Sequence, residues 1–339
     1  MTLDLLTIKS ITTGAVRITE ERDGIHFYRF TKEQEEMFLP RNERHYKKTF
    51  STAGIRLRFQ TDSTKLELKA KVEHGSPRSF YAVDLSVNGI FIDGIDNYAG
   101  VAPRENFGDL TYPYGKIEKT WELGAGEKEI CIYLPWSVTF VLQALTLDDG
   151  AFLIPVIPEK KALCFGDSIT HGSDALRPSN RYIARFCDYL GAAEYCKAIC
   201  GEEFWPELGA TKESFVPDYI TVAYGTNDWS HSPSAELKEH CYGFYRDLQK
   251  NYPHSKLIAI APIWRADHKE KNREIPFDRV YDIICDAVKD NANAVVIRGE
   301  QLVPHDPEYF GDLRLHPNDL GFKHYAENLI AQYERSEKR

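Results

Sequence analysis

The segment ALCFGDSITHG, residues 162–172, joins a short apolar run to a polar turn between two glycines. Residues 162–165 have the length and composition of a buried strand, and Ser168 follows in a tight turn that opens a helix. The first backbone N–H groups of a helix have no partner inside it and can bind incoming negative charge. Ser168 is therefore either a helix-capping serine or a candidate nucleophile, and this segment alone leaves both open.

The rest of the C-terminal half repeats the order of apolar run and helix. The further apolar runs are 195–199, 219–224, 256–263 and 294–297, and the helical stretches are 180–190, 234–251, 276–290 and a last one from about residue 317. This alternation predicts a parallel sheet wrapped by helices, a doubly wound α/β domain. Such sheets bind ligands at the carboxyl ends of their strands, so candidate site residues should follow the apolar runs.

The first 150 residues or so predict β-structure instead. Residues 54–72 alternate apolar and polar side chains on both sides of a polar turn. Asn88-Gly89 stands between two apolar runs in residues 80–92, which is a strong hairpin signal. We expect a β-sandwich of the jelly-roll kind over residues 1–152 and the α/β domain over residues 153–339.

Composition argues against several classes of protein. A net charge of −9 disfavours sequence-independent nucleic-acid binding, which needs clustered cations. No signal peptide is visible, and the uncharged run 130–147, which contains Pro135, predicts two buried strands and not a membrane span. The seven cysteines show no CxxC spacing and are interpreted as buried free thiols, so we expect a cytoplasmic protein without a zinc site.

Three further polar blocks follow predicted strands. Gly201 comes after the second run, where a glycine N–H can approach a substrate without side-chain hindrance. Asn227, in GTND, is either an amide donor or a turn residue. His316, in LHPND, precedes a predicted helix and lies on a loop, from which it can act as the base that a serine nucleophile needs. The joint occurrence of the blocks, in this order, favours catalysis.

The blocks GDSI, Gly201, GTND and HPND resemble those of the SGNH (GDSL-like) hydrolase superfamily, over about residues 162–330. The resemblance implies a flavodoxin-like domain with Ser168 as nucleophile and His316 as general base. It also implies an oxyanion hole made by the backbone N–H groups of Ser168 and Gly201 and the side-chain amide of Asn227. It implies no metal and no cofactor.

The acid that orients the histidine departs from the family pattern. Members of the family carry it three residues before the histidine, where this chain has Leu313, and Asp312 lies one residue earlier. Either the loop bulges so that Asp312 still reaches the far ring nitrogen of His316, or a backbone carbonyl orients the ring in a Ser168–His316 dyad.

A β-sandwich followed by an SGNH domain resembles the two-domain carbohydrate esterases, including carbohydrate esterase family 2 and acetylxylan esterases. That resemblance implies removal of a short acyl group, acetyl foremost, from a saccharide. Flat indole faces suit sugar rings, and the candidate substrate-binding residues are Trp205, Trp229, Trp264 and Arg265. The alternatives are a lysophospholipase or thioesterase with the same machinery and a non-catalytic glycan-binding protein. The expected partner is an acylated saccharide, and a homo-oligomer is compatible with the sequence.

Overall fold

The computed structural model describes residues 1–98, 111–269 and 273–338. Packing divides the chain into two compact units. The first comprises Met1–Glu159 with Leu176–Ser179 and Ala193–Cys196, and the second comprises Lys160–Ala175, Asn180–Ala192 and Lys197–Arg339. The boundary between residues 152 and 153 stays a prediction.

The strands and helices are numbered along the chain. The strands are β1 (Thr12–Thr13), β2 (Arg17–Glu21), β3 (Gly24–Tyr28), β4 (Arg56–Thr61), β5 (Lys65–His74), β6 (Ala82–Val87), β7 (Ile90–Asp96), β8 (Gly115–Glu122), β9 (Lys128–Tyr133), β10 (Val138–Leu147), β11 (Ile154–Pro155), β12 (Lys160–Gly166), β13 (Ala192–Cys196), β14 (Tyr219–Ala223), β15 (Lys256–Ile260) and β16 (Ala294–Ile297). The helices are α1 (Leu5–Ile11), α2 (Lys32–Arg41), α3 (Glu43–Lys48), α4 (Ser168–His171), α5 (Tyr182–Leu190), α6 (Pro206–Ala210), α7 (Thr226–His231), α8 (Ser234–Asn251), α9 (Arg279–Val288) and α10 (Asp319–Glu337).

The N-terminal half contains two antiparallel sheets. One has the strand order β1-β4-β9-β6-β7, with β11 also pairing β4, and the other has the order β2-β3-β10-β5-β8. Buried apolar side chains of both sheets, among them Phe59, Leu68, Ile132 and Phe140, form one core. Two sheets that share a core fit the predicted β-sandwich. The jelly-roll connectivity stays a prediction.

Two local predictions in this half are confirmed. Asn88 and Gly89 have φ values of 52° and 77°, and they turn β6 back along its own edge as β7. These left-handed conformations are those of a tight hairpin turn, which is why Asn-Gly signals one. The uncharged run 130–147 forms the end of β9, to Tyr133, and all of β10, with residues 134–137 connecting the two strands.

The expectation of β-structure throughout this half was wrong for α1, α2 and α3. Helix α2 begins with a capping box, in which Thr31 and Gln34 each accept a hydrogen bond from the other's backbone N–H. Asn42 caps α3 by accepting hydrogen bonds from Arg44 and His45. The sequence therefore carried helix start signals, and the prediction missed them because it rested on apolar alternation.

A third sheet has the order β13-β12-β14-β15-β16, and the pairs from β12 to β16 are parallel. Numbered along the chain, this order is 2-1-3-4-5, which is that of flavodoxin-like folds. The predicted parallel sheet is confirmed. One strand was misplaced: β13 lies at Ala192–Cys196 and not at 195–199, because α5 ends at the left-handed Gly191 (φ 62°) and the strand follows at once.

The reversal of strand order places a crevice between the carboxyl ends of β12 and β14. Open α/β sheets bind ligands at this switch point. Ser168 opens α4 directly after β12, and Asn227 lies in α7 after β14. Within the three described stretches, none of the helices combines the length and the apolar character that a bilayer-spanning segment needs.

Candidate active site

Ser168 is the first residue of α4 and is 6% exposed. Asp167 caps this helix, because its carboxylate accepts a hydrogen bond from the backbone N–H of Ile169 at 2.9 Å. The hydroxyl groups of Thr170 and Tyr182 lie 2.7 Å apart and anchor the helix on the core. The turn thus holds the serine hydroxyl in one place at the end of β12.

His316 lies within hydrogen-bond distance of this serine, 148 residues away in the sequence. The distance between Ser168 Oγ and His316 Nε2 is 2.9 Å. The histidine sits on a loop closed by a bridge between Phe310 and Pro317 and by a 2.8 Å hydrogen bond from Gly311 N–H to the carbonyl of His316. This arrangement has the geometry of a nucleophile and its general base.

Asp312 reaches the other ring nitrogen of the same histidine. Its Oδ2 lies 2.8 Å from His316 Nδ1. Its Oδ1 accepts hydrogen bonds from the backbone N–H groups of Arg314, Leu315 and His316 at 3.0, 2.7 and 3.0 Å. Leu313 adopts a left-handed conformation with φ 55°, which accommodates the extra residue. Of the two alternatives left open by the sequence, the loop has the bulged one.

The pKa of Asp312 lies well below its ordinary value. Burial raises this pKa, but the hydrogen bond to His316, the charge of that ring and the N–H groups of Leu315 and His316 lower it by more. The carboxylate is therefore charged at neutral pH. A charged acceptor at Nδ1 favours the tautomer in which Nε2 can accept the proton of Ser168.

The three predicted oxyanion donors follow the ends of neighbouring strands. Ser168 is the first helical residue, so its N–H has no acceptor within α4. Gly201 has φ 87°, and its N–H donates no hydrogen bond within the described part of the chain. The side chain of Asn227 donates one amide hydrogen to the carbonyl of Glu202 at 2.9 Å. That bond orients the amide and leaves its second N–H for a ligand.

Asp228 connects the segments that carry these donors. Its two carboxylate oxygens accept hydrogen bonds from the N–H groups of Phe204 at 2.9 Å and Gly225 at 3.1 Å. Burial raises the pKa of Asp228 to about 8 and that of Asp167 to about 6. The sequence reasoning missed these two supporting acids although both lie in the blocks it quoted, because it weighed only side chains that could touch a substrate.

Trp229 and Arg265 require a correction as substrate-binding residues. Each is 2% exposed. The indole N–H of Trp229 donates to the carbonyl of Ile275 at 2.9 Å, and the guanidinium of Arg265 donates to the carbonyl of Thr226 at 3.1 Å. Side chains buried in this way offer no face to a saccharide. They support the segment that carries Asn227.

Trp205 and Trp264 are partly exposed. The ring of Trp264 stacks on His305 with centroids 5.5 Å apart, and it contacts Phe310, in the histidine loop, at 5.3 Å. A cavity of about 740 Å³ lies against Trp264, at the carboxyl ends of β15 and β16. Neither Ser168 nor His316 is among the described residues that line this cavity. The cavity therefore neighbours the histidine loop without containing the serine.

Two groups of side chains in the described residues place possible metal-ligand atoms within 4.8 Å of one another. One consists of Glu21, Asp23 and His26, and the other of Asp174, Asp312 and His316. In the second group, Nδ1 of His316 lies 2.8 Å from Asp312 Oδ2, to which it is hydrogen-bonded, and 4.0 Å from Asp174 Oδ2. A metal on that nitrogen and the orienting hydrogen bond exclude each other.

Residues 164–324 match the profile of the GDSL-like Lipase/Acylhydrolase family. No curated protein sequence matches the chain. Among solved structures, the salicylyl-acyltransferase SsfX3 from a tetracycline biosynthetic pathway is 18% identical with a TM-score of 0.77, over 96% of this chain and 94% of that chain. A Bacteroides ovatus protein described as a GDSL-like lipase is 19% identical with a TM-score of 0.74, over 100% and 98%. A family two carbohydrate esterase from Cellvibrio japonicus is 15% identical with a TM-score of 0.66, over 99% and 97%. These likenesses concern the fold.

Proposed function

We propose that this chain, whose residues 164–324 are a GDSL-like lipase/acylhydrolase domain, is a serine esterase that removes short acyl groups, acetyl foremost, from a saccharide. The observation that carries the proposal is the pair of hydrogen bonds that links Ser168 through His316 to Asp312. A serine hydroxyl becomes a good nucleophile only when an adjacent base removes its proton, and the base needs a third group to orient it. Each of the three side chains has the partner that its role requires.

In the first half of the reaction, Ser168 Oγ attacks the acyl carbon and its proton moves to His316 Nε2. The carbonyl electron pair moves onto oxygen, and this oxyanion is bound by the donors of Ser168, Gly201 and Asn227. Removal of one such donor costs about 2.7–4 kcal/mol in measured cases. Asp312 stabilises the imidazolium without taking its proton. The bond to the alcohol then breaks, the alcohol oxygen takes the proton from Nε2, and the acyl group remains on Ser168.

In the second half, a water molecule replaces the alcohol. His316 Nε2 takes a proton from the water as its oxygen attacks the acyl carbon. The second tetrahedral intermediate collapses, the carboxylic acid leaves, and the proton on Nε2 returns to Ser168 Oγ. One ester and one water give one alcohol and one acid, so the cycle needs no other reactant.

A saccharide as the alcohol is supported by the surroundings of Trp264. Its partly exposed ring borders the cavity of about 740 Å³, a size typical of small-molecule sites. Indole rings offer sugars an apolar face, and Arg298 and Glu300 in the same cavity can bond hydroxyl groups. The similar folds of a family two carbohydrate esterase and of an acetyl xylan esterase support the same class of substrate.

A panel of p-nitrophenyl acetate, butyrate, octanoate and laurate, acetylated xylo-oligosaccharides and acetyl- and palmitoyl-coenzyme A tests this proposal. We expect the acetyl ester to be cleaved fastest, activity to fall with acyl length, and acetate to be released from the oligosaccharides. Faster cleavage of the laurate ester or of an acyl thioester would identify a lysophospholipase or thioesterase. Saccharide binding without any hydrolysis would identify a non-catalytic glycan-binding protein.

A further inference from the structure

A second carboxylate lies beside His316, and this one is buried. Asp174, in the turn that follows α4, is 2% exposed. Its Oδ2 lies 4.0 Å from His316 Nδ1, the nitrogen that Asp312 contacts at 2.8 Å. Two carboxylates from different parts of the chain thus lie on the same side of one imidazole ring.

The backbone and the packing hold Asp174 in this place. Its φ is 73°, and among the described non-glycine residues only Asn88 and Leu313 also have positive φ. A β-carbon built on Gly311 would lie 2.8 Å from the β-carbon of Asp174, so the aspartate packs directly on the loop that carries the histidine. The turn and the loop therefore fit each other closely.

The distance determines what this carboxylate can do. At 4.0 Å from Nδ1 it makes no hydrogen bond to the ring, so it acts on His316 through its charge. A negative charge at this range favours the imidazolium that forms when Ser168 gives up its proton.

Other charged or titratable groups also face His316. Asp312 comes from the histidine's own loop, Asp174 from the turn after α4, and Asp167 from the start of α4, where the charge of His316 acts on it together with that of Arg265. The neighbouring His171 of α4 faces Cys200 instead, at 3.1 Å. Removing Asp174 therefore leaves two acids near the ring, and one of them bonds it directly.

We propose that Asp174 is a second positioning acid of the active site. Its charge stabilises the imidazolium of His316 together with that of Asp312, and it takes over part of the orienting role when Asp312 is neutralised. The inference rests on the proposed serine-esterase function and adds a residue to its machinery.

Asp174→Asn tests the charge, because asparagine keeps the shape and tolerates the left-handed backbone. With p-nitrophenyl acetate we expect kcat to fall about tenfold and KM to change less than about twofold. The reason is that the charge of Asp174 acts on the imidazolium of His316, which forms only during the reaction. Asp306→Asn is the matched control. Its carboxylate caps a nearby turn by accepting a hydrogen bond from Glu308 N–H at 3.0 Å, so this variant should keep its kcat.

A double-mutant cycle distinguishes an Asp174 that supports His316 from an Asp174 that only maintains the fold. Asp312→Asn alone should lower kcat about 10²-fold, and the double variant should approach the loss of about 10⁴-fold seen when a catalytic histidine loses its acid elsewhere. If Asp174→Asn does not fold, Asp174→Gly carries the same tests, because glycine accepts a φ of 73° without strain. An unchanged kcat in a folded Asp174 variant, or a double variant no slower than Asp312→Asn, overturns the inference. A wild-type protein that cleaves no ester overturns the proposed function instead.

Discussion

Asn227→Ala removes one hydrogen-bond donor from the proposed oxyanion hole and leaves the rest of the site in place. The amide gives one hydrogen to the carbonyl of Glu202 at 2.9 Å, and the side chain is 9% exposed. Its second hydrogen is the one assigned to the oxyanion. Because this bond strengthens only as negative charge develops, its loss should raise the barrier by about 2.7–4 kcal/mol, or lower kcat about 10²–10³-fold. KM should change little, because the ground-state carbonyl carries no full charge.

Steady-state hydrolysis of p-nitrophenyl acetate measures both constants. Asn328→Ala is the matched control. Asn328 lies in α10, and its side-chain amide donates a hydrogen bond to the carbonyl of Leu302 at 3.0 Å. It should lose about 1 kcal/mol of unfolding free energy and keep its kcat. A decrease in kcat of less than tenfold for Asn227→Ala, with a native circular dichroism spectrum, would remove Asn227 from the oxyanion hole.

The other predictions concern the nucleophile and base, metals and pH. Ser168→Ala and His316→Ala should each abolish nearly all esterase activity, and the double variant should be little worse, because the two act as one unit. A single variant that keeps a tenth of kcat would exclude that residue from the mechanism. EDTA should leave activity unchanged, since the proposed proton transfers need no metal. Loss on chelation that a divalent ion restores would assign the ion to the group of Asp174, Asp312 and His316. Burial raises the pKa of Asp228 to about 8, so the folded chain keeps a proton that the unfolded chain loses near pH 4. The unfolding free energy should therefore fall between about pH 4 and pH 8, by at most about 1.4 kcal/mol per pH unit, and urea titrations of Asp228→Asn over this range should show a flatter profile. Equal slopes for the two proteins would contradict this assignment.

The sequence predicted the parallel sheet because its strands are buried on both faces and appear as unbroken apolar runs. β15 is an example, with four consecutive buried residues from Leu257 to Ile260. The same reasoning misplaced β13, because Ala198 and Ile199 are fully buried although they lie in a loop. An apolar loop beneath a site has the composition of a strand, and composition alone does not separate the two.

The site was predictable where a short block sits next to a strand end, as with Ser168, Asn227 and His316. Trp229 and Arg265 follow strand ends too, but a position along the chain does not tell which way a side chain points after the turn. The role of Asp312 stayed open because it depends on the backbone of Leu313, and leucine is an uncommon residue at positive φ. Asp174 gave no signal at all, since nothing local marks it as a neighbour of a loop more than a hundred residues away.

The left-handed backbone of Leu313 shows that the spacing of acid and histidine along the chain and the distance between their side chains are separate properties, which a sequence motif treats as one. What the histidine requires is an acceptor at 2.8 Å from Nδ1, and that is a distance through space. The number of residues between the acid and the histidine can change if an intervening residue adopts a left-handed backbone conformation, as Leu313 does here with φ 55°. Its side chain is 39% exposed, so the added residue adds little to the interior. A sequence search that demands a fixed number of residues between acid and histidine would miss Asp312, whereas a search of structures for a left-handed residue in this loop would find it.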